Sequence, residues 1–280
     1  MKVARVFPRR TKATPIDEDA YIDGPDMWIR ERGYEEIHIS VTFTWDLPRA
    51  EWLAKQWEGI APVKMGGPAL GTKGEDFTPG MYLKPGYVIT SRGCPNRCWH
   101  CSVWRRDGAT RELTITEGNK LQDDNILACS EGHIRAVVKM LRSQRHVEFT
   151  GGLEASRLSR WHIELIEDLK IEQIFMAYDT PDDWEPLVEA KKLFSGSRLD
   201  TKRYLRCYVL IGGPGDTLKN AEARLNQVLG LGIYPMAMLY RDGKTGSVRD
   251  GWSALQKTWA RPAIIFHKLG ARNGKTGKAS

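Results

Sequence analysis

The chain has 280 residues, 41% hydrophobic and 28% charged, which is ordinary globular composition with enough apolar mass for a large core. Low-complexity disorder, collagen and a small disulfide scaffold are excluded, and no stretch approaches the roughly 18 uninterrupted apolar residues of a membrane helix. The net charge of +7 sits at the ends: residues 1–12 carry five Lys or Arg and residues 251–280 carry six, both without an acid, leaving 31 basic against 35 acidic residues between them. Basic ends suit an anionic partner such as nucleic acid, although charge alone favours the plainer reading of a solubilising fringe. No membrane partner is expected. The first residues lack the apolar run of a secretory signal, so the expected compartment is the cytoplasm.

In chain order, Ile37–Phe43 is β-branched and predicts a strand. Pro48 opens a predicted helix over 48–58, with Trp52 and Trp57 as core anchors. Ala61–Met65 predicts a strand that ends in the tight turn Gly66-Gly67-Pro68. These elements make a small α/β unit over residues 1–80. Glycines and prolines in 71–86 predict a linker. The segment from 81 to 250 is more regular. Strands are predicted at 86–90, 120–122, 147–150, 173–178, 205–211 and 235–240. Helices are predicted at 131–143, 161–169, 183–194 and 217–231, with a last one at 252–259. Strands alternating with helices predict βαβ units and a parallel sheet, which right-handed crossovers curl into a barrel or partial barrel. A polar, Gly or Cys cluster follows each of the first five strands, where such folds build active sites.

The five cysteines are Cys94, Cys98, Cys101, Cys129 and Cys207. An odd number in a chain without a secretory signal favours metal or redox chemistry over a disulfide framework. Cys94, Cys98 and Cys101 form a C-x3-C-x2-C pattern on a loop after a predicted strand. Three thiolates on a four-iron cluster leave one iron open to another ligand. Structural zinc is the rival, but its closed sites usually pair two short Cys motifs, and no second pair is present. His100 is poorly placed to share one metal with both neighbours. Cys129 and Cys207 read as small buried apolar residues.

The segment Thr90-Ser91-Arg92-Gly93-Cys94-Pro95-Asn96-Arg97-Cys98-Trp99-His100-Cys101, with the β/α repeats after it, resembles the radical S-adenosylmethionine (SAM) superfamily. The resemblance implies a partial (β/α)6 barrel over 81–250, followed by a basic segment, 251–280. It implies that Cys94, Cys98 and Cys101 hold a [4Fe-4S] cluster. The amino and carboxylate groups of SAM would bind the open iron, and reductive cleavage would give a 5′-deoxyadenosyl radical that abstracts a substrate hydrogen. Asp123 and Asp124 then stand where a motif meets the SAM amino group. Glu154 and Arg157 face its amino and carboxylate ends, and Asp179 faces the ribose. Ile211 and Gly212 pack on adenine, with Leu239 and Tyr240 as the matching contact. The expected electron donor is flavodoxin- or ferredoxin-like. His100 departs from the Tyr or Phe common at its position.

Residues 1–80 are similar to a shortened form of the Rossmann-like domain that precedes the barrel in cobalamin-type members. The D-x-H-x-x-G motif that supplies a cobalamin ligand is absent. Two other readings remain at this point: a metal-stabilised nucleic-acid-binding module and an iron–sulfur redox carrier.

Overall fold

The computed structural model describes residues 1–241, 248, 250–260 and 265. They divide into two compact units, Met1–Gly152 and Leu153–Ser280. The first unit starts with β1 (Val3–Val6), β2 (Ala20–Tyr21) and β3 (Glu36–Ser40), then α1 (Leu47–Trp57) and β4 (Val63–Gly66). The four strands form one parallel sheet in the order β2-β1-β3-β4. All four residues of β1 are buried, as expected of an inner strand of a parallel sheet. Its Arg5 is accommodated because the guanidinium reaches Asp17 and the Gly80 and Met81 carbonyls.

Pro48 sits in the first turn of α1, where its missing N–H costs nothing. Ala50, Leu53 and Trp57 form the buried face, at helical spacing. Trp57 is the anchor the sequence predicts, but Trp52 is not. It is 44% exposed, on the opposite side of the helix, with the Arg49 guanidinium 4.2 Å from its ring. The basic N-terminus is also partly neutralised within the fold, Arg5 by Asp17 and Arg9 by Asp46.

The same unit continues with β5 (Tyr87–Val88), β6 (Ser91–Arg92), α2 (Val103–Arg106), β7 (Arg111–Glu112), β8 (Lys120–Leu121), α3 (Glu131–Leu141) and β9 (Val147–Phe149). Strands β5, β8 and β9 are parallel, with Val88 opposite Leu121 and Leu121 opposite Phe149. β6 and β7 form a separate antiparallel ribbon.

The second unit holds α4 (Arg160–Ile166), β10 (Ile171–Tyr178), α5 (Trp184–Leu193), β11 (Leu205–Ile211), α6 (Leu218–Gly230), β12 (Tyr234–Leu239) and α7 (Trp252–Trp259). β10, β11 and β12 are parallel. On β11 every second residue, Leu205, Cys207, Val209 and Ile211, is fully buried. Each unit therefore carries three of the six strands expected over 81–250. Among the described residues no helix is long and apolar enough to cross a membrane. Residues 261–264 and 266–280, most of the basic C-terminal segment, lie outside the described residues; Ile265 is buried.

One partly buried ion pair fixes the turn after β11. Asp216 accepts from Arg224 Nη2 at 2.8 Å and from the Gly212 N–H at 2.9 Å. Burial acts to raise the Asp216 carboxyl, but Arg224 and the backbone donors outweigh it and hold it below its ordinary value. A depressed carboxyl adds stability above its unfolded pKa, and that stability is lost as pH falls through the folded value. Arg224→Met is therefore expected to cost about 2 kcal/mol near neutral pH. The gap from wild type should narrow as pH drops below about 4. Urea unfolding of both proteins at pH 7 and at pH 3 measures it.

Candidate functional site

Thr90 and Ser91 are fully buried as the chain leaves β5. In the β6–β7 ribbon, Ser91 pairs with Glu112 and Arg92 with Arg111, so residues 93–110 form a loop closed at its base. This is why the stretch from 105 to 119 lacks a long helix; α2 is a single turn. Gly93 lies at φ +84°, where a side chain is strained, and a Cβ there would overlap the Ala109 carbonyl oxygen. The Cys94 N–H donates to the Gly108 carbonyl at 3.1 Å. The Cys101 N–H donates to the Cys98 carbonyl at 3.2 Å, which turns the chain tightly between those two cysteines. Trp104 Nε1 also donates to the Cys98 carbonyl, at 3.1 Å.

All three cysteines are free thiols, Cys98 exposed and the other two partly buried. Burial pushes the Cys101 thiol up, and the neighbouring Cys94 and Asp124 add to that. Among the described residues no three His, Cys, Asp or Glu side chains gather closely enough to hold a single metal ion. A four-iron cluster asks for a wider arrangement, because each thiolate binds a different iron. The donor set, three free thiols on one closed loop, fits that group.

Three consecutive residues after β8 hold this loop. Asp123 is buried and accepts from the Thr90 N–H and the Thr90 hydroxyl, both at 2.6 Å, and from the Ser91 hydroxyl at 2.7 Å. Asp124 accepts from the Gly93 N–H at 2.9 Å and lies 3.6 Å from the Arg106 guanidinium. Asn125 Nδ2 donates to Cys94 Sγ at 3.3 Å. Each side chain thus meets the next part of the segment 90–94. Burial raises the Asp123 and Asp124 carboxyls, with their hydrogen-bond donors working against it.

Asp123 and Asp124 are expected from the sequence to meet a ligand's amino group; here their carboxylates serve the loop. Asn125 reads in the sequence only as part of a polar turn. Its signal is position: it follows the strand paired with the one that leads into the cysteines.

The 71–86 segment is laced to this loop. The Gly74 N–H donates to Asp107 Oδ1 at 2.7 Å, and Arg111 donates to the Gly74 carbonyl. Arg106 Nε donates to the other Asp107 oxygen at 2.6 Å. Cys129 ends a short 3-10 turn, half-buried, its thiol pushed up to about 11 by burial. Cys207 is fully buried in β11, as the sequence predicts.

In the second unit, Glu154 and Arg157 pair with each other at 2.7 Å. Asp179 stands at the end of β10, its N–H donating to Asp183 at 2.9 Å. Ile211 lies opposite Leu239 across β11 and β12, and the Tyr240 N–H donates to the Ile211 carbonyl at 2.8 Å. Leu239 and Trp252 pack directly against Gly212. The structure therefore brings Ile211, Gly212 and Leu239 together, and adds Trp252, which has no distinguishing signal in the sequence.

A concavity lies in the first unit at the C-terminal ends of β1 and β3. In that sheet the strand order reverses between these two strands, which is where such folds take ligands. It has about 350 Å³ of empty space, counting its open mouth, and is lined by Phe7, Arg9, Thr14, Ser40, Phe43 and Tyr82 among others.

No family model and no curated protein matches the chain. Among solved structures it is similar to the radical S-adenosylmethionine methyltransferase TsrM from Kitasatospora setae, determined with cobalamin and a [4Fe-4S] cluster bound. The match covers 88% of this chain and 77% of that one, with 14% identity and a TM-score of 0.60. The chain shares the overall α/β fold of that structure. At this identity the likeness is one of fold. The α/β class with parallel sheets that the sequence predicts agrees with it. In this chain the cysteine loop follows β5, the first strand of the 81–250 series.

Proposed function

We propose that this protein is a radical SAM enzyme. The observation that carries the reading is the C-x3-C-x2-C loop with three free thiols, closed by a ribbon and held from β8, in a chain with this fold. Cys94, Cys98 and Cys101 would hold a [4Fe-4S] cluster. When bound, the cluster supplies one electron to cleave SAM and so begin hydrogen abstraction from the substrate.

The chain's own residues bind and orient. Glu154 and Arg157 are proposed for the charged ends of SAM, Asp179 for the ribose hydroxyls, and Ile211, Gly212 and Leu239 for adenine. Asp123 and Asp124 are proposed to act through the loop they hold. Free cysteines suit a reducing compartment, and the cytoplasm is the proposed location. The proposed reductant is a flavodoxin- or ferredoxin-like protein. An anionic substrate, with nucleic acid first, rests on the basic ends alone, and its mark would be salt-dependent binding.

The deciding experiment is anaerobic purification with iron and sulfide analysis, followed by SAM and dithionite. Expected are near-stoichiometric cluster and SAM-dependent 5′-deoxyadenosine. Iron-free, folded protein would sink the reading. The methyl transfer named for the similar structure supports a second reading, in which S-adenosylhomocysteine is the product in place of 5′-deoxyadenosine.

We propose that this chain, unlike that structure, does not depend on cobalamin. The concavity on the N-terminal sheet is at the small end for drug-sized ligands, and the Arg9–Asp46 pair forms part of its wall. No histidine motif accompanies it. The purified protein is expected to retain no cobalamin through gel filtration and to cleave SAM without it. Stoichiometric retention would overturn this.

A further inference from the structure

We infer that Asn125 sets the reduction potential of the cluster bound at Cys94, by donating an N–H to that sulfur. This rests on the cluster reading above and adds a role for a residue outside the three cysteine ligands.

The geometry is direct. Asn125 is buried, and its Nδ2 is 3.3 Å from Cys94 Sγ. A sulfur bound to iron carries no proton, so toward it the amide can only donate. The two preceding residues fix the donor in place: Asp123 ties the same turn to Thr90 and Ser91, and Asp124 ties it to Gly93. Donor and acceptor therefore belong to one braced unit.

Negative charge on the sulfurs grows when a cluster takes up an electron. A donor N–H stabilises the reduced state more than the oxidised one, and hydrogen bonds to the sulfurs are among the factors that set cluster potentials. Burial of the amide strengthens the effect, because a hydrogen bond is electrostatically stronger in a low local dielectric. Asn125 is thus a tuning residue, placed to ease the electron transfer that SAM cleavage needs.

The test uses the full chain, reconstituted anaerobically. Asn125→Leu removes the donor at similar volume, and Asn125→Asp keeps the shape while replacing the donor with an acceptor. Iron per chain should match wild type in both. Dye-mediated redox titration, read by the paramagnetic signal of the reduced cluster, should show a lower potential. At a fixed solution potential the reduced-to-oxidised ratio should fall about tenfold, equivalent to about 59 mV for one electron.

An unchanged potential at full iron loading in either variant overturns the inference. Loss of iron in both variants also overturns it, making Asn125 a structural support. Wild-type protein that takes up no iron refutes the underlying cluster reading instead, so the two failures are told apart.

Discussion

Alanine at any one of Cys94, Cys98 or Cys101 is expected to remove most of the bound iron and all reductive cleavage of SAM. With only two thiolates left, two irons lack a protein ligand, and cluster binding follows the number of thiolates. The same change at Cys129 or Cys207 is the control. Cys207 packs in the middle of β11, and its loss leaves a small cavity worth about 1 kcal/mol. Cys129 sits at a half-buried turn outside the C-x3-C-x2-C loop, so its loss leaves the three ligating thiols in place. Iron analysis of the five variants, purified side by side without oxygen, gives the answer. Full iron in Cys98→Ala, or none in a folded Cys207→Ala, would overturn the assignment.

Asp123→Ala should be the most damaging change that leaves every cysteine in place. It strands three donors in a buried site: the Thr90 N–H and two hydroxyls. Each unsatisfied donor costs about 1–3 kcal/mol, so a total on the order of 4 kcal/mol is expected even if the hydroxyls rotate elsewhere. That is a large share of the roughly 5–15 kcal/mol that holds a typical domain together. The loop before Cys94 loses its anchor, so iron should fall as well. Gly151 shows how closely this turn is seated: a Cβ there would overlap the Asp123 carbonyl oxygen.

The pH dependence has a definite sign. Burial raises the Asp123 carboxyl, so the folded protein holds that proton more tightly than the unfolded chain. Its contribution is fully present below the unfolded pKa and is lost as pH rises through the folded value. Against Asp123→Asn, whose amide does not titrate, wild type should lose relative stability as pH climbs from about 4. Urea midpoints of the two proteins across pH 4–7, with iron content, provide the measurement. A wild-type advantage that grows with pH would contradict it.

The regular elements were readable because their signals are local. The predicted strand over 205–211 is β11, whose alternation buries Leu205, Cys207, Val209 and Ile211. The helix predicted over 217–231 is α6, capped by Thr217. What escaped is either short or non-local. β1 is four residues interrupted by an arginine, and Arg5 becomes tolerable only through Asp17 and two carbonyls far along the chain. Trp52 looked like core because it is large, yet its position on α1 lies across from Ala50, Leu53 and Trp57. The β6–β7 ribbon pairs Ser91 with Glu112 and Arg92 with Arg111 through two-residue strands, too short for any periodicity. At the site, the cysteines declare themselves by spacing. Asp123, Asp124 and Asn125 look like an ordinary turn until β8 is set beside β5. Only then does it emerge that they address Thr90 to Cys94 in sequence order.

The lacing at Gly74 bears on how the chain can be divided. Residues 71–86 have the composition of a tether, but they are stitched at both ends. Gly80 receives Arg5, and the Lys84 N–H donates to the Ala13 carbonyl; Gly74 meets Asp107 and Arg111. A chain begun at residue 81 would lack the Gly74 amide that satisfies one oxygen of the buried Asp107, leaving only Arg106 on that carboxylate. The 71–86 segment is therefore no detachable tether: it is tied at one end to residues of the N-terminal sheet and its loops and at the other to the base of the cysteine loop.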